Sequence, residues 1–258
     1  MERTGIYKEE RKFVYSDYDI NDDVLMSHIA EIFQDIAGNH SEFLGCGYEA
    51  VKSKDMIWVL AKSKIDVIKN PIVAKNVIVE TIAYKPAGLI FARELIIKDK
   101  ETGEALITGN SNWCLVSLST RRLVRPNIDV VPFEQDDTNR IYKDRMKSLD
   151  NIQFEDKDFM FDQTIRFTDL DHNRHMNNCH YLDIITNAVS PTSNQRITSL
   201  EINYEKECTK DDEILVYKKI ISDTEGFVTA YKKESRQLVF KSKYKLSYNA
   251  DASKQTLQ

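Results

Sequence analysis

The hexapeptide Ser16-Asp17-Tyr18-Asp19-Ile20-Asn21 returns in the second half of the chain as Thr168-Asp169-Leu170-Asp171-His172-Asn173. In each copy a strand-like segment precedes the acidic turn and an apolar helical segment follows it, which reads as a tandem duplication. After the first copy, Leu25, Ile29, Ile32 and Ile36 fall at helical spacing, and Met26, Ala30, Phe33 and Ala37 widen the apolar face. After the second, Tyr181, Leu182, Ile184, Ile185, Ala188 and Val189 cover most sides of a helix that ends before Ser190-Pro191. Helices apolar over so much of their circumference must be enclosed, so each copy has to supply its own wrapping.

The wrapping reads as antiparallel sheet. In the first half, 57–67, 77–84, 89–98 and 105–118 are rich in β-branched and aromatic residues, with turn signals at Lys69-Asn70-Pro71, Lys85-Pro86-Ala87-Gly88 and Lys100-Glu101-Thr102-Gly103. In the second half, 198–204, 214–222, 226–234 and 238–248 repeat the series. A strand, a long buried helix and a meander of strands around it make a hot-dog unit, so the expected class is α+β, a double hot-dog. The expected divisions are an N-terminal repeat over 1–126, a connector over 127–157, a C-terminal repeat over 158–248 and a disordered polar tail over 249–258. The connector is charged, with a short helix expected around Arg140 to Lys147.

Composition sets limits on partners. With 258 residues, 41% of them hydrophobic, the chain has the material for a proper core. No apolar run approaches the roughly 18 residues of a membrane span, and Met1-Glu2-Arg3-Thr4-Gly5 carries no apolar signal core, so a cytoplasmic protein is expected. A formal net charge of −5 argues against nucleic acid as a partner. The basic groups Arg121, Arg122, Arg125 and Lys143, Arg145, Lys147 read as solvated faces. Cys46, Cys114, Cys179 and Cys208 are scattered without paired spacing and are expected to be free thiols. His172, His175 and His180 have no further His or Cys cluster near them, so neither a metal nor another cofactor is expected.

The two copies differ where chemistry would occur. Aligning Asn21 with Asn173 sets Asp23 opposite His175, and aligning Ile65 with Ile202 sets Asn70-Pro71 opposite Glu207-Cys208. Imidazole, carboxylate and thiol are therefore confined to the second half, which predicts one active site per chain and a scaffolding role for the first half. Plainer readings stand beside this one. Asp169 and Asp171 are also ordinary turn and helix-entry residues, Cys208 is also a common type of buried packing residue, His28 and His40 read as structural, and Trp58 and Trp113 as core.

The run Asp171-His172-Asn173-Arg174-His175-Met176-Asn177-Asn178 resembles the Asp-x-Asn-x-His-x-Asn-Asn segment of the acyl-acyl carrier protein (acyl-ACP) thioesterases of plants and bacteria. Leu200 to Cys208 is similar to the strand and turn that carry that family's Glu-Cys pair, and Met56-Ile57-Trp58-Val59 and Thr120-Arg121-Arg122-Leu123 extend the likeness from about Tyr7 to about Tyr248. The resemblance implies hydrolysis of a fatty acyl thioester on acyl carrier protein, of oleoyl or related acyl-ACP type. A fused double hot-dog already contains the pairing that single units reach by dimerising, so a monomer or a further homodimer is expected. Thioester hydrolysis needs a polarised carbonyl, an activated nucleophile and a proton donor for the leaving thiolate. His175 suits the general base or acid, Asn173 can orient the imidazole, the water or the carbonyl oxygen, and Asp171 or Glu207 can activate water, attack directly to form an anhydride, or hold His175 in its working tautomer. Cys208 is an alternative nucleophile. Backbone N–H groups at Asn177 and Asn178, at the positive end of a helix, suit the oxyanion. Met26, Ile29, Phe33 and Trp58 are the expected acyl contacts. An acyl-CoA thioesterase and a non-catalytic acyl-binding regulator are the alternatives on the same fold.

Overall fold

The computed structural model of the chain describes residues 5–73, 75–125 and 140–248. Residues 127–139 of the expected connector and the whole 249–258 tail lie outside the described residues. The chain forms two compact units. One takes in the chain up to Tyr15 together with Ile29–Lys147, and the other takes in Ser16–His28 and the chain from Ser148 onward. The compact units thus do not share boundaries with the sequence repeats.

The first unit is an antiparallel sheet of β1 (Ile6–Lys12), β2 (Met56–Val67), β3 (Asn76–Ala83), β4 (Phe91–Asp99) and β5 (Ala105–Ser117). Their spatial order is β1-β3-β4-β5-β2, with the short β6 (Leu123–Val124) on β5. The helix α1 (Met26–Leu44) buries Ile29, Ile32, Phe33, Ile36 and Ala37, the residues whose spacing predicts it. Phe33 explains a glycine in β5: a Cβ at Gly109 would run into the Phe33 ring, so the strand is bare where the helix crosses it. Further along, His40 stacks on Tyr7 of β1 at 5.5 Å and accepts a hydrogen bond from Arg93 of β4 at 2.8 Å. Arginine can only donate, so the His40 Nδ1 facing it is unprotonated. Burial pushes the Arg93 guanidinium down to about 10. His40 is thus a structural group, as expected.

A short α2 (Tyr48–Lys52) follows α1. It helps close a small core of Leu44, Cys46, Val51, Met56, Phe91 and Leu115, against which Trp58 and Trp113 pack.

The second unit repeats the plan with β7 (Phe159–Thr164), α3 (His180–Val189), β8 (Gln195–Tyr204), β9 (Glu213–Ser222), β10 (Glu225–Lys232) and β11 (Leu238–Tyr248). The spatial order is β8-β11-β10-β9-β7, all antiparallel. α3 buries the six residues that predict it and ends at Ser190, which takes a left-handed conformation at φ 49° before Pro191. The fold is α+β, a double hot-dog, and the strand boundaries follow the β-branched runs to within a few residues. Among the described residues no helix is long and apolar enough to cross a membrane.

The helix expected over Arg140 to Lys147 does not form. The N–H groups of Ile141 and Tyr142, which would start that helix, instead donate to the Glu94 carboxylate at 2.8 and 2.9 Å. Glu94 is buried on β4 and also accepts from the Tyr84 hydroxyl at 2.9 Å. Tyr142 in turn donates to Asp66 at 2.7 Å, and Arg140 sits over the Tyr84 ring. A buried carboxylate has to be satisfied, and here it takes the backbone donors of the segment covering it.

Candidate active site

The acidic turn has the same backbone in both copies. Tyr18 bridges Val24 in the first and Leu170 bridges Met176 in the second, and Asp22 and Arg174 both lie in the left-handed region, at φ 59° and 65°. In the first copy the Asp19 carboxylate accepts the N–H groups of Asn21 at 2.8 Å and Asp23 at 3.0 Å. In the second, Asp171 accepts those of Asn173 at 2.8 Å and His175 at 3.4 Å. Asp171 therefore does for its loop what Asp19 does in a copy without imidazole: it holds a tight turn together. Its second oxygen also receives the Asn173 side-chain amide at 3.4 Å.

The turn leads into α3. Asn177 closes it with a side-chain oxygen that accepts the Cys179 N–H at 3.1 Å, and the Tyr204 hydroxyl donates to the Asn178 carbonyl at 3.1 Å. The Asn177 N–H itself donates to the Asp169 carbonyl at 2.9 Å. This corrects one expectation: the Asn177 N–H is not open to an oxyanion, because the register of the turn already uses it. The Asn178 N–H meets no acceptor among the described residues.

The turn after β8 is stitched to this loop through the main chain of Cys208. Its carbonyl accepts the Met176 N–H at 2.8 Å, and its N–H donates to the Tyr181 hydroxyl at 3.2 Å. Anchoring 208 beside 176 brings the preceding residues together, and His175 Nδ1 lies 3.4 Å from Glu207 Oε2. Both side chains reach solvent, 27% exposed for His175 and 49% for Glu207, whereas Cys208 is 0% exposed. Burial pushes the Cys208 thiol up, and although the Tyr181 hydroxyl and the Lys232 charge pull the other way, it stays raised. Downstream, Asp212 accepts from the Thr209 N–H at 2.6 Å and pairs with Lys232 at 2.7 Å, closing the turn that carries Glu207 and Cys208.

The second unit thus brings together Asp171, Asn173, His175, Asn177, Asn178, Glu207 and Cys208, with different parts played by side chains and main chain. Of the expected acyl contacts, Met26, Ile29 and Phe33 are buried along α1. Trp58 on β2 donates from its indole N–H to the Cys46 carbonyl at 2.8 Å and sets its ring edge-on to Phe91. Tyr181 and Tyr204 were not anticipated from sequence as parts of the site. A tyrosine at a buried helix or strand position counts toward the apolar pattern, and its hydroxyl gives no periodic signal. Among the described residues no group of three or more His, Cys, Asp or Glu is arranged to hold a metal ion.

Comparison with known proteins gives the family and the fold. Residues 5–132 match the acyl-ACP thioesterase N-terminal domain and residues 152–252 the C-terminal domain. The chain belongs to the acyl-ACP thioesterase family. It is 27% identical over 228 residues to oleoyl-acyl carrier protein thioesterase 1 of Arabidopsis thaliana, covering 80% of this chain and 61% of that protein. It is 30% identical over 205 residues to a palmitoyl-acyl carrier protein thioesterase of Cuphea hookeriana, covering 73% of this chain and 48% of that protein. The chain therefore spans about half to three fifths of the length of these two relatives. Among solved structures, an acyl-ACP thioesterase from Bacteroides thetaiotaomicron superposes with a TM-score of 0.84 at 21% identity, covering 96% of this chain and 100% of that one. The 12:0-ACP thioesterase from Umbellularia californica also superposes at 0.84 and 21%, covering 95% and 98%. These two likenesses establish the double hot-dog fold of the family in this member.

Proposed function

We propose that this acyl-ACP thioesterase family member hydrolyses the thioester of a fatty acyl chain held on acyl carrier protein. The products are a free fatty acid and the carrier thiol, and the release ends chain growth in fatty acid synthesis. The observation that carries this reading is the 3.4 Å approach of His175 Nδ1 to Glu207, both open to solvent, beside a fully buried Cys208.

In the reacting complex the Glu207 carboxylate, 3.4 Å from Nδ1, takes up the Nδ1–H of His175 and so directs the lone pair of Nε2 outward. Nε2 takes a proton from a water molecule as the water oxygen bonds to the thioester carbon. The carbonyl π pair moves onto oxygen, and the oxyanion is met by the Asn178 N–H and the positive end of α3. As the carbonyl re-forms, the C–S bond breaks, and the sulfur leaves with the proton that Nε2 held. Asn173, fixed by Asp171, orients the attacking water. In this scheme Asp171 is a positioning residue, and Cys208 contributes its main chain, because a buried thiol with a raised pKa is a poor nucleophile. Met26, Ile29, Phe33 and Trp58 are assigned to the acyl chain. We place the protein in the cytoplasm as a monomer or homodimer; its four cysteines are buried and form no disulfide among the described residues, which suits a reducing compartment.

The test is steady-state hydrolysis of saturated acyl chains offered on acyl carrier protein and on coenzyme A at equal concentration. Turnover higher on the carrier protein is expected, and it disappears in His175→Ala. Preference for coenzyme A would overturn the carrier, and acyl binding without turnover would overturn the enzyme.

A further inference from the structure

Tyr181 sits on the first turn of α3, buried, with its hydroxyl 3.2 Å from the Cys208 N–H that donates to it. Burial, with the Cys208 thiol beside it, holds the phenol well above its ordinary pKa, so it stays protonated and neutral. Its ring is locked edge-on between Tyr204 of β8 at 5.7 Å and Phe240 of β11 at 5.8 Å. A rigid aromatic seated between two strands is a fixed point, and its hydroxyl transmits that position to the turn that follows β8.

The first copy provides an internal comparison. The helix position equivalent to Tyr181 is Ile29, which has no hydroxyl, and the turn position equivalent to Cys208 is Pro71, which has no N–H to offer. Both ends of the bond are missing from the copy that also lacks His175 and Glu207, where Asp23 and Asn70 stand instead. The turn backbone around Asp19 survives in that copy, so the bond is not needed to build the fold. Tyr181 and the Cys208 N–H accompany the imidazole and the carboxylate.

We infer that Tyr181 is a positioning residue for Glu207: its hydroxyl fixes the main chain at Cys208 and thereby holds the Glu207 carboxylate on His175 Nδ1. This rests on the reading above that His175 and Glu207 act together in thioester hydrolysis. It also gives Cys208 a purpose that does not involve its thiol as nucleophile. Glu207 is half-exposed and pairs with His175 Nδ1 at 3.4 Å, so the backbone beside it sets its reach. Releasing that backbone lets the carboxylate swing into water, and a displacement of about 1 Å at such a pair costs up to ~10²-fold in rate.

The experiment is a double-mutant cycle in the full chain: wild type, Tyr181→Phe, Glu207→Gln and the pair, assayed for kcat and KM on acyl-ACP with thermal melts in parallel. Tyr181→Phe should lower kcat by about ten- to a hundredfold at unchanged KM. In the Glu207→Gln background the same change should cost less than about twofold, because the carboxylate it positions is already gone. Cys208→Pro, which removes the N–H and copies Pro71, tests the bond from the donor side and should give the same loss of kcat. Wild-type kcat in Tyr181→Phe, or an equal loss in both backgrounds, would overturn the inference. Absence of turnover in the wild type would instead overturn the hydrolytic reading on which it rests.

Discussion

In the proposed hydrolysis His175 and Glu207 act through their 3.4 Å approach, and Cys208 through its main chain. His175→Ala removes the imidazole that faces Glu207, and kcat should fall about 10³-fold while the melt is unchanged, because the side chain is partly exposed. Glu207→Gln keeps the shape but presents a weaker acceptor to Nδ1, and kcat should fall by about 10²-fold. Cys208→Ala should leave kcat within about threefold of wild type and cost roughly 1 to 2 kcal/mol of stability, the price of a small cavity at a fully buried site. A Cys208→Ala enzyme as inactive as His175→Ala would restore the thiol mechanism. His175, Asn173 and Glu207 were legible in the sequence because each stands where the other copy has something chemically different or lies in the repeated motif itself. Tyr181 was not, since a buried tyrosine and a buried isoleucine look alike in a hydrophobic pattern until the partner of the hydroxyl is seen.

At the scale of elements, the first sheet is tied together by charge as well as by backbone ladders. Glu80 on β3 accepts from Lys8 on β1 and Lys98 on β4, each at 2.7 Å. Burial would raise its carboxyl, but the two lysines outweigh burial and leave it below the ordinary 4.5. A carboxyl lowered in the folded state adds stability that is present above its unfolded value and is lost as pH falls through the folded one. Glu80→Gln should therefore be less stable than wild type at pH 7, by roughly 1 kcal/mol, and the gap should close as pH falls below 4.5 and through the lowered folded value. A gap that persists once the carboxyl is protonated would show that the cost is packing rather than charge. Gly109→Ala probes the helix instead: the new methyl meets the Phe33 ring, and overpacking of this kind costs about 1 to 3 kcal/mol by chemical denaturation. Strands and helices were readable because period and β-branching report local burial. The segment from Arg140 to Lys147 was not, because its conformation follows from Glu94, a carboxylate more than forty positions upstream in the chain whose hydrogen-bond demand leaves no trace in the local pattern.

At the scale of the whole molecule, the duplication is legible down to single hydrogen bonds, since the two acidic turns share bridge, left-handed residue and carboxylate acceptor. What the sequence could not reveal is the use to which the copy without imidazole puts its changed residue. Asp23, opposite His175 in the alignment, lies 3.3 Å from Arg196 at the start of β8, and its neighbour Asn21 reaches the Pro191 carbonyl. Burial raises the Asp23 carboxyl; the Arg196 charge opposes this, while Asp19 and Asp22 add to it, and the net direction is upward. An acid whose folded pKa is raised gains no stability from being ionised at neutral pH, so the pair has a geometric role more than an energetic one. Asp23→Asn should then change stability by less than about 1 kcal/mol and leave kcat on acyl-ACP at the wild-type value. His175→Ala in the same assay should remove hydrolysis without a residual half that the first copy could supply. Loss of turnover in Asp23→Asn, in step with His175→Ala, would mean that the first copy takes part in the chemistry, and one site per chain would have to be given up.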